Sequence, residues 1–420
     1  MMKRKHEKAH DPAPKSRAYF LLLLGWLVYT TSYLGKVNYS ANIVEIIDFY
    51  GVTKAQAGMV PTFFFFAYGV GQVLNGLLCK KYNIKWMVFG SLAVSAAINL
   101  VIAVSSNFSI IKWLWLVNGI ALSVLWPTLI RLLSETLPRK FLGISSILMG
   151  TTVAVGTLII YGLSAVYVAF DRFKLAFYTA GIVVIIVAAL WLFFFNRAVK
   201  DAERERQTET LTEVKPQPTR QQKTEISTFF ASVCTLCFCA VVVNLIKDGL
   251  TTWVPSILKE EFFVSDSLSI LLTLFLPVLA VFGNLFAHKL HDRIPDYVNH
   301  CGVIFAGIAV LVGVIIGSMM LKLAALMLIG LVAVNYLASS LNSLITSIFP
   351  LFMRGKANAG LFAGILNGFC YVGSTISSYG LGAIADSFGW VWVFWTLLAC
   401  CGAVFLVWGL YTGFRHSKNS

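Results

Sequence analysis

Two lysines, Lys36 and Lys247, lie within long apolar stretches of the sequence. A charged side chain at membrane depth costs at least ~2.5 kcal/mol on insertion scales, so it usually faces a cavity or has a partner. Two cations that face one cavity favour an anionic solute, whose charge offsets their mutual repulsion. Lysine is a point charge without the bidentate fork of arginine, so phosphate, carboxylate and sulfonate headgroups all stay open.

Two acidic residues accompany these cations. Asp248 follows Lys247 directly. Because adjacent residues point about 100° apart on a helix, we predict no direct pair between them and expect Asp248 to reach Lys36 or a solute instead. Arg131 and Glu135 are one helical turn apart, and we expect a gate or a structural ion pair there.

Other polar residues recur at helical spacing around the two lysines. They include Tyr29 and Tyr33 before Lys36, and Asn244 before Lys247. Further stripes lie in other apolar segments and contain Tyr68, Gln72, Asn335, Asn342, Asn367 and Tyr371. Residues three or four apart share one face of a helix, so we expect these stripes to wall a hydrated cavity.

The composition indicates lipid as the solvent of this chain. Of its 420 residues, 58% are hydrophobic and 12% are charged, whereas soluble domains carry about 25% charged residues. A membrane-crossing helix needs about 20 apolar residues. The sequence predicts an all-α membrane protein with twelve such helices, at 18–44, 56–79, 86–106, 109–134, 142–169, 174–196, 229–258, 266–288, 297–317, 321–348, 359–385 and 389–413.

The basic residues predict the orientation in the membrane. Of the 33 lysines and arginines, 24 fall on the side of the two termini, six fall in the opposite loops and three lie inside predicted helices. Since basic loops stay in the cytoplasm, we expect both termini there and the protein in the plasma membrane. The net charge of +14 is therefore a topology signal, and we expect no nucleic-acid partner.

The chain divides into two similar halves. A polar segment at 197–228 has the composition of a cytoplasmic linker. It separates six-helix bundles at 18–196 and 229–413, with cytoplasmic tails at 1–17 and 414–420. Lys36 and Lys247 occupy equivalent places in these repeats, and transporters built this way hold the solute between the repeats near the bilayer midplane. We expect a monomer without metal or cofactor, and no enzyme activity.

Several motifs resemble the major facilitator superfamily, and within it the organophosphate:phosphate antiporters, which carry glycerol phosphate and hexose phosphates. Tyr33-Leu34-Gly35-Lys36-Val37-Asn38 resembles the first-helix motif of that family, and Lys247-Asp248-Gly249 resembles the seventh-helix segment. Trp126-Pro127 followed by Arg131 is similar to the fourth-helix signature. Tyr371-Val372-Gly373 is similar to the eleventh-helix motif.

The resemblance implies two pseudo-symmetric bundles, alternating access and exchange of an organic phosphate for inorganic phosphate. It places Lys36 and Lys247 where the family has binding arginines, and Tyr371 at a binding-site tyrosine. Gln72 stands in place of an expected lysine and Thr152 in place of an expected histidine. The substrate-binding residues that we predict are Lys36, Lys247, Tyr33, Asn38, Tyr68, Gln72, Thr152, Asn244, Tyr371 and Asn367, with Arg131, Glu135 and Asp248 in gating or structural roles.

Two other functions stay open at this point. A proton-coupled carrier of carboxylates or sugars would use Asp248. A membrane sensor of sugar phosphates would share the transporter sequence pattern without moving solute.

Overall fold

The computed structural model describes residues 18–78, 83–210, 226–349 and 359–419. The predicted tail at 1–17, the middle of the predicted linker at 211–225 and residue 420 lie outside the described part, as do two stretches at 79–82 and 350–358. The described residues form helices and short connections. This follows from the solvent, because a helix satisfies its backbone hydrogen bonds within one membrane-spanning segment.

Among the described residues, the first half of the chain forms eight helices: α1 (Ala18–Ala41), α2 (Ile43–Tyr50), α3 (Lys54–Leu78), α4 (Ile84–Val104), α5 (Phe108–Ser123), α6 (Leu125–Thr136), α7 (Arg139–Ala169) and α8 (Leu175–Thr210). The second half contains α9 (Ile226–Phe262), α10 (Asp266–Thr273), α11 (Phe275–Arg293), α12 (Tyr297–Met320) and α13 (Ala324–Ser343). A π-helical turn (Leu344–Ile348) and the helices α14 (Ala359–Phe388) and α15 (Trp390–Asn419) complete it.

Eleven of the described segments are long and apolar enough to cross a membrane. The remaining long helix is α14, at the place of the predicted eleventh span. Its Asn, Ser and Tyr residues lower its mean hydropathy, and several of them are buried, including Ser374, Ser377 and Ser378. These polar side chains face protein, as expected for a helix that lines an interior surface.

The fourth and eighth predicted spans are interrupted, and among the described helices the sixth extends furthest past its predicted end. The fourth span breaks at Val124 between α5 and α6, and the eighth breaks at Leu274 between α10 and α11. Helix α8 continues past Asn196 to Thr210, through part of the predicted linker. Glu, Arg, Lys and Ala are good helix formers, and Arg197 and Asp201 form an i,i+4 pair there.

The two halves meet through equivalent helices. Helix α3, the second span of the first half, packs along α14, the fifth span of the second half. Helix α7, the fifth span of the first half, packs against α10 and α11, which form the second half's second span. In both contacts, the second span of one half packs against the fifth span of the other half. The two contacts are therefore equivalent, as expected for two repeats of one structural unit.

Small residues let α3 and α14 approach closely. A Cβ atom added to Gly58 would lie 2.2 Å from the Ser378 carbonyl oxygen, and one added to Gly69 would lie 2.7 Å from the Tyr371 Cβ atom. Such small residues are typical of helix contacts in membranes. Both glycines therefore set the distance between the halves.

The bundle has two ends, which we name from the connection between its halves. At the linker end, α8 ends and α9 begins. Helix α1 also begins at this end, since the Ala18 amide donates a hydrogen bond to Glu205 near the end of α8 (3.1 Å). The opposite end is the far end. There the Asp386 carboxylate of the second half accepts hydrogen bonds from the backbone amides of Lys54 (3.2 Å) and Ala55 (2.7 Å). The first turn of α3 is thus capped from the other half.

Candidate functional site

Lys36 lies in an aromatic cage between the two halves. Its Nζ atom is 4.2 Å from the centre of the Tyr68 ring, 4.8 Å from that of Tyr33, 5.5 Å from that of Tyr371 and 5.6 Å from that of Phe64. The side chain is 9% exposed, and no carboxylate among the described residues lies within ion-pair distance of it. Ring faces attract cations, so the cage stabilises a charge that is not neutralised by a direct partner.

The rings of the cage also contact one another. Tyr68 and Tyr371 have ring centres 4.8 Å apart and belong to different halves. Phe64 stacks on Tyr68 at 5.5 Å, and the Tyr29 and Tyr68 hydroxyls are 3.4 Å apart. The cage is therefore closed only when α3 and α14 lie side by side.

A polar network inside the first half fixes the part of α1 that carries Lys36. The amides of Asn99 and Asn118 donate to the Gly35 carbonyl oxygen at 3.3 and 2.8 Å. A Cβ atom at Gly35 would lie 2.9 Å from the Asn99 amide nitrogen. The predicted site residue Asn38 also belongs to this network, since it donates to Asn99 Oδ1 (2.7 Å). It lies two positions from Lys36, hence on nearly the opposite face of α1, and the structure gives it a contact to α4 rather than to the cage.

Lys247 forms an ion pair with its neighbour. Its Nζ atom lies 3.1 Å from Asp248 Oδ1, so the prediction that these adjacent residues do not pair was wrong. Their Cβ atoms point about 100° apart, but the long, flexible lysine side chain reaches around the helix to the carboxylate. The other carboxylate oxygen of Asp248 accepts a hydrogen bond from the Ser374 hydroxyl of α14.

The two lysines share one electrostatic environment, as the sequence predicts. The charges of both Asp248 and Lys247 act on the Lys36 ammonium. Since Lys247 and Asp248 offset each other, the described part of the cavity holds a net charge of about +1 from Lys36 alone. Sequence reasoning expected Asp248 to reach Lys36 or a solute, and it missed that Asp248 offsets Lys247.

Two other predicted site residues form a contact between the halves next to the cage. The Asn367 amide of α14 donates to Gln72 Oε1 of α3 at 2.7 Å. Gln72 lies one turn after Tyr68, so this bond continues the wall of the cage toward the linker end.

Asn244 and Thr152 have partners outside the cage. Asn244 donates to Asn342 Oδ1 of α13 (2.9 Å) and to the Ala240 carbonyl (3.0 Å). Thr152 is fully buried and donates to the Met149 carbonyl one turn earlier (2.5 Å). Both residues have the hydrogen-bond pattern of helix packing.

Arg131 and Glu135 form the expected pair near the linker end of α6. The Arg131 Nε atom lies 3.0 and 3.1 Å from the two carboxylate oxygens. The pair is partly solvated, since Glu135 is 52% exposed. It joins two turns of one helix.

The far end is held together by ion pairs that sequence reasoning did not find. Lys259 of the second half contacts Asp48 of the first half (2.6 Å) and Asp266 (3.0 Å). Lys54 of the first half contacts Glu260 (3.1 Å) and Asp386 (3.6 Å) of the second. In the sequence these residues lie at or just beyond the ends of predicted spans, and only the lysines among them were used, as a topology signal.

The linker end has a different pattern. The ion pairs described there join residues within one half: Arg131–Glu135, Lys140–Glu205, Arg197–Asp201 and Arg415–Asp296. Among the described residues, the ion pairs between the halves therefore lie at the far end.

Comparisons with known proteins agree with this architecture. The family model described as Major Facilitator Superfamily matches residues 25–362. A "Probable hexose phosphate transport protein" of Chlamydia pneumoniae is 21% identical over 93% of this chain and 90% of its own length. "Sugar phosphate exchanger 3" of Bos taurus is 19% identical over 83% of this chain and 78% of its own length.

A solved structure has the same fold. The bacterial homologue of the human lysosomal transporter Spinster, in an inward-facing and occupied conformation, superposes with a TM-score of 0.74 at 14% identity, over 95% of this chain and 98% of its own. The family match covers most of the sequence, and the helices form two bundles related by exchange of halves. The chain therefore belongs to the Major Facilitator Superfamily and is an integral membrane transporter.

Proposed function

We propose that this transporter carries a phosphorylated sugar or a glycerol-phosphate-like solute in exchange for inorganic phosphate. The observation that carries the proposal is Lys36, a caged cation between the halves with no carboxylate in direct contact among the described residues. Relatives named for hexose phosphate and sugar phosphate transport match this chain over most of its length, which supports the same class of solute.

The proposed binding surface consists of Lys36 and Lys247, with Tyr33, Tyr68 and Tyr371 as the aromatic wall. The phosphate contacts the Lys36 ammonium, and the sugar ring lies against the tyrosine faces. In this proposal Lys247, the equivalent residue of the second repeat, acts on the same anion. Gln72 and Asn367 form the end of the wall nearer the linker.

Exchange follows from the cost of burying an uncompensated charge. When the halves close around an empty cavity, Lys36 loses water without gaining an anion. A bound organic phosphate or inorganic phosphate supplies the missing negative charge. The loaded carrier therefore interconverts between its two open forms more readily than the empty one, and one anion leaves as another returns.

The remaining features are part of the same proposal. The bundles at 18–196 and 229–413 rock about the site as a monomer in the plasma membrane. Both termini and the linker at 197–228 face the cytoplasm, as the excess of basic residues on that side indicates.

Counterflow in proteoliposomes tests the proposal. Liposomes loaded with inorganic phosphate should take up labelled hexose 6-phosphate, and Lys36→Gln should reduce that uptake at least about tenfold because the charge contact is lost. Lys289→Gln removes an exposed lysine at the linker end and should leave uptake unchanged. Equal uptake by Lys36→Gln and the unmodified protein contradicts the proposed site.

The same assay separates the alternatives. Uptake that ignores internal phosphate and collapses with a protonophore indicates a proton-coupled carrier. Saturable binding of hexose phosphate without any uptake indicates a sensor.

A further inference from the structure

The two equivalent lysines of the site have different environments. Lys36 is surrounded by rings, whereas Lys247 is paired with Asp248 at 3.1 Å. Asp248 is itself held by the Ser374 hydroxyl of α14. A carboxylate with two partners keeps its position, so it remains a competitor for Lys247 when an anion enters the cavity.

We propose that Asp248 sets the charge of the solute: the carrier selects organic phosphates in their monoanionic form over their dianionic form. This inference rests on the proposed function and adds the ionic state of the headgroup. The cavity charge is about +1, so a monoanion makes the loaded site neutral and a dianion leaves it at about −1. A site without Asp248 would instead favour the dianion.

The other titratable groups that face Asp248 do not alter this charge. They are Tyr33 on α1 and Cys370 and Tyr371 on α14, in addition to the two lysines. Phenol and thiol groups are ordinarily uncharged below about pH 8. Between pH 5.5 and 7.5 the solute changes by about one charge, because phosphate monoesters lose their second proton near pH 6. A change of charge on Lys36 in the same range would act equally on a solute of constant charge.

Two matched esters make the proposal measurable. Hexose 6-phosphate changes from mainly monoanion to mainly dianion between pH 5.5 and 7.5, about one charge, whereas hexose 6-sulfate stays a monoanion. For the unmodified protein, the affinity of the phosphate ester should fall at least about tenfold from pH 5.5 to 7.5, because the monoanionic fraction falls from about three quarters to about 3%. The affinity of the sulfate ester should stay constant, which also reports any titration of the protein itself.

Charge variants then test Asp248 directly. Asp248→Asn raises the cavity charge by one, so the tenfold preference for pH 5.5 should vanish or reverse. The double variant Lys247→Gln/Asp248→Asn restores the original charge and should restore the original preference. Ser374→Ala removes the hydrogen bond but keeps the charge, and it should keep the preference as well.

The outcomes separate this inference from the function on which it rests. Transport by Asp248→Asn with an unchanged pH preference overturns the inference and leaves the proposed function intact. A dianion preference in the unmodified protein does the same. Failure of both esters and of inorganic phosphate to bind the unmodified protein overturns both.

A folding defect of Asp248→Asn does not prevent the test. The variant Lys247→Gln lowers the cavity charge by one, and the double variant restores it. The double variant should bind the sulfate ester about tenfold more tightly than Lys247→Gln does. Equal affinities would overturn the inference.

Discussion

The ammonium of Lys36, on α1, lies 4.2 Å from the centre of the Tyr68 ring, on α3. A cation–π contact of this kind contributes about 0.5–2 kcal/mol, more when the pair is desolvated. Both residues are buried. The contact thus links α1 to α3 beside the interface of the halves.

A double-mutant cycle should measure this contact. Tyr68→Leu and Lys36→Gln should each change the free energy of unfolding. The change in the double variant should differ from the sum of the two single changes by about 0.5–2 kcal/mol. Tyr68→Phe keeps the ring and should retain most of the coupling. Additive effects of Tyr68→Leu and Lys36→Gln would show that the ring does not stabilise the charge.

Gly58→Ala should separate the halves at the far end. The added Cβ atom would lie 2.2 Å from the Ser378 carbonyl oxygen of the other half, so the two helices must move apart. The distance between labels at Phe170→Cys and Leu321→Cys, exposed far-end positions in different halves, should increase. The labels require replacement of the eight native cysteines.

Gly90→Ala is the matched control for this substitution. Gly90 also lies within a helix, but a Cβ atom there meets nothing within 4 Å. Alanine has the higher helix propensity by about 1 kcal/mol, so stability should stay equal or rise. A label distance that responds equally to both substitutions would rule out the steric explanation.

Lys259→Gln should open the far end, because it removes the cation that pairs with one carboxylate from each half. Lys259 contacts Asp48 of the first half at 2.6 Å and Asp266 of the second half at 3.0 Å. The label distance at the far end should increase. Lys322→Gln removes a pair to Glu261 within the second half at the same end and should leave the distance unchanged.

The far end should also respond to pH through Glu45. Burial, a hydrogen bond with Asp266 and the charges of Asp266 and Asp48 raise the pKa of Glu45 to about 7, against the opposing effect of Lys259. When the halves separate, Glu45 is hydrated and its pKa returns toward its ordinary value of about 4.3. The closed far end therefore binds this proton more tightly.

The sign of the effect follows from that difference. Acidification from about pH 8 to pH 6 protonates Glu45 in the closed form and should shorten the mean label distance at the far end. Glu45→Gln should abolish most of this response. A response of equal size in Glu45→Gln would assign the pH dependence to another group.

The sequence predicted the spans, and it singled out the two lysines as site candidates, because both inferences depend on local hydropathy. A charge in an apolar run is expensive wherever the chain goes, so Lys36 and Lys247 could be found without knowing their neighbours. The separate polar stripes that contain Tyr68 and Tyr371 were visible too. Their convergence on Lys36 was not, because it depends on how α3 packs along α14.

The misses have physical reasons of the same kind. Angular spacing of Cβ atoms excluded the Lys247–Asp248 pair, but the reach of a lysine side chain exceeds that geometry. The assignment of Asn38 to the site stays a prediction, and its described side-chain contact, to Asn99, lies within the first half. The lysines and acids at the far end have no periodicity that would predict their pairing.

The cap on α3 constrains the two repeats unequally during evolution. Asp386 accepts hydrogen bonds from the backbone amides of residues 54 and 55, not from their side chains. Any residue except proline can supply those amides. Residue 55 can therefore change without losing the cap, whereas the Lys54 side chain also pairs with Glu260 and Asp386, and position 386 must keep its acceptor. After the ancestral duplication, part of the selective pressure on the first repeat would thus be recorded in the second.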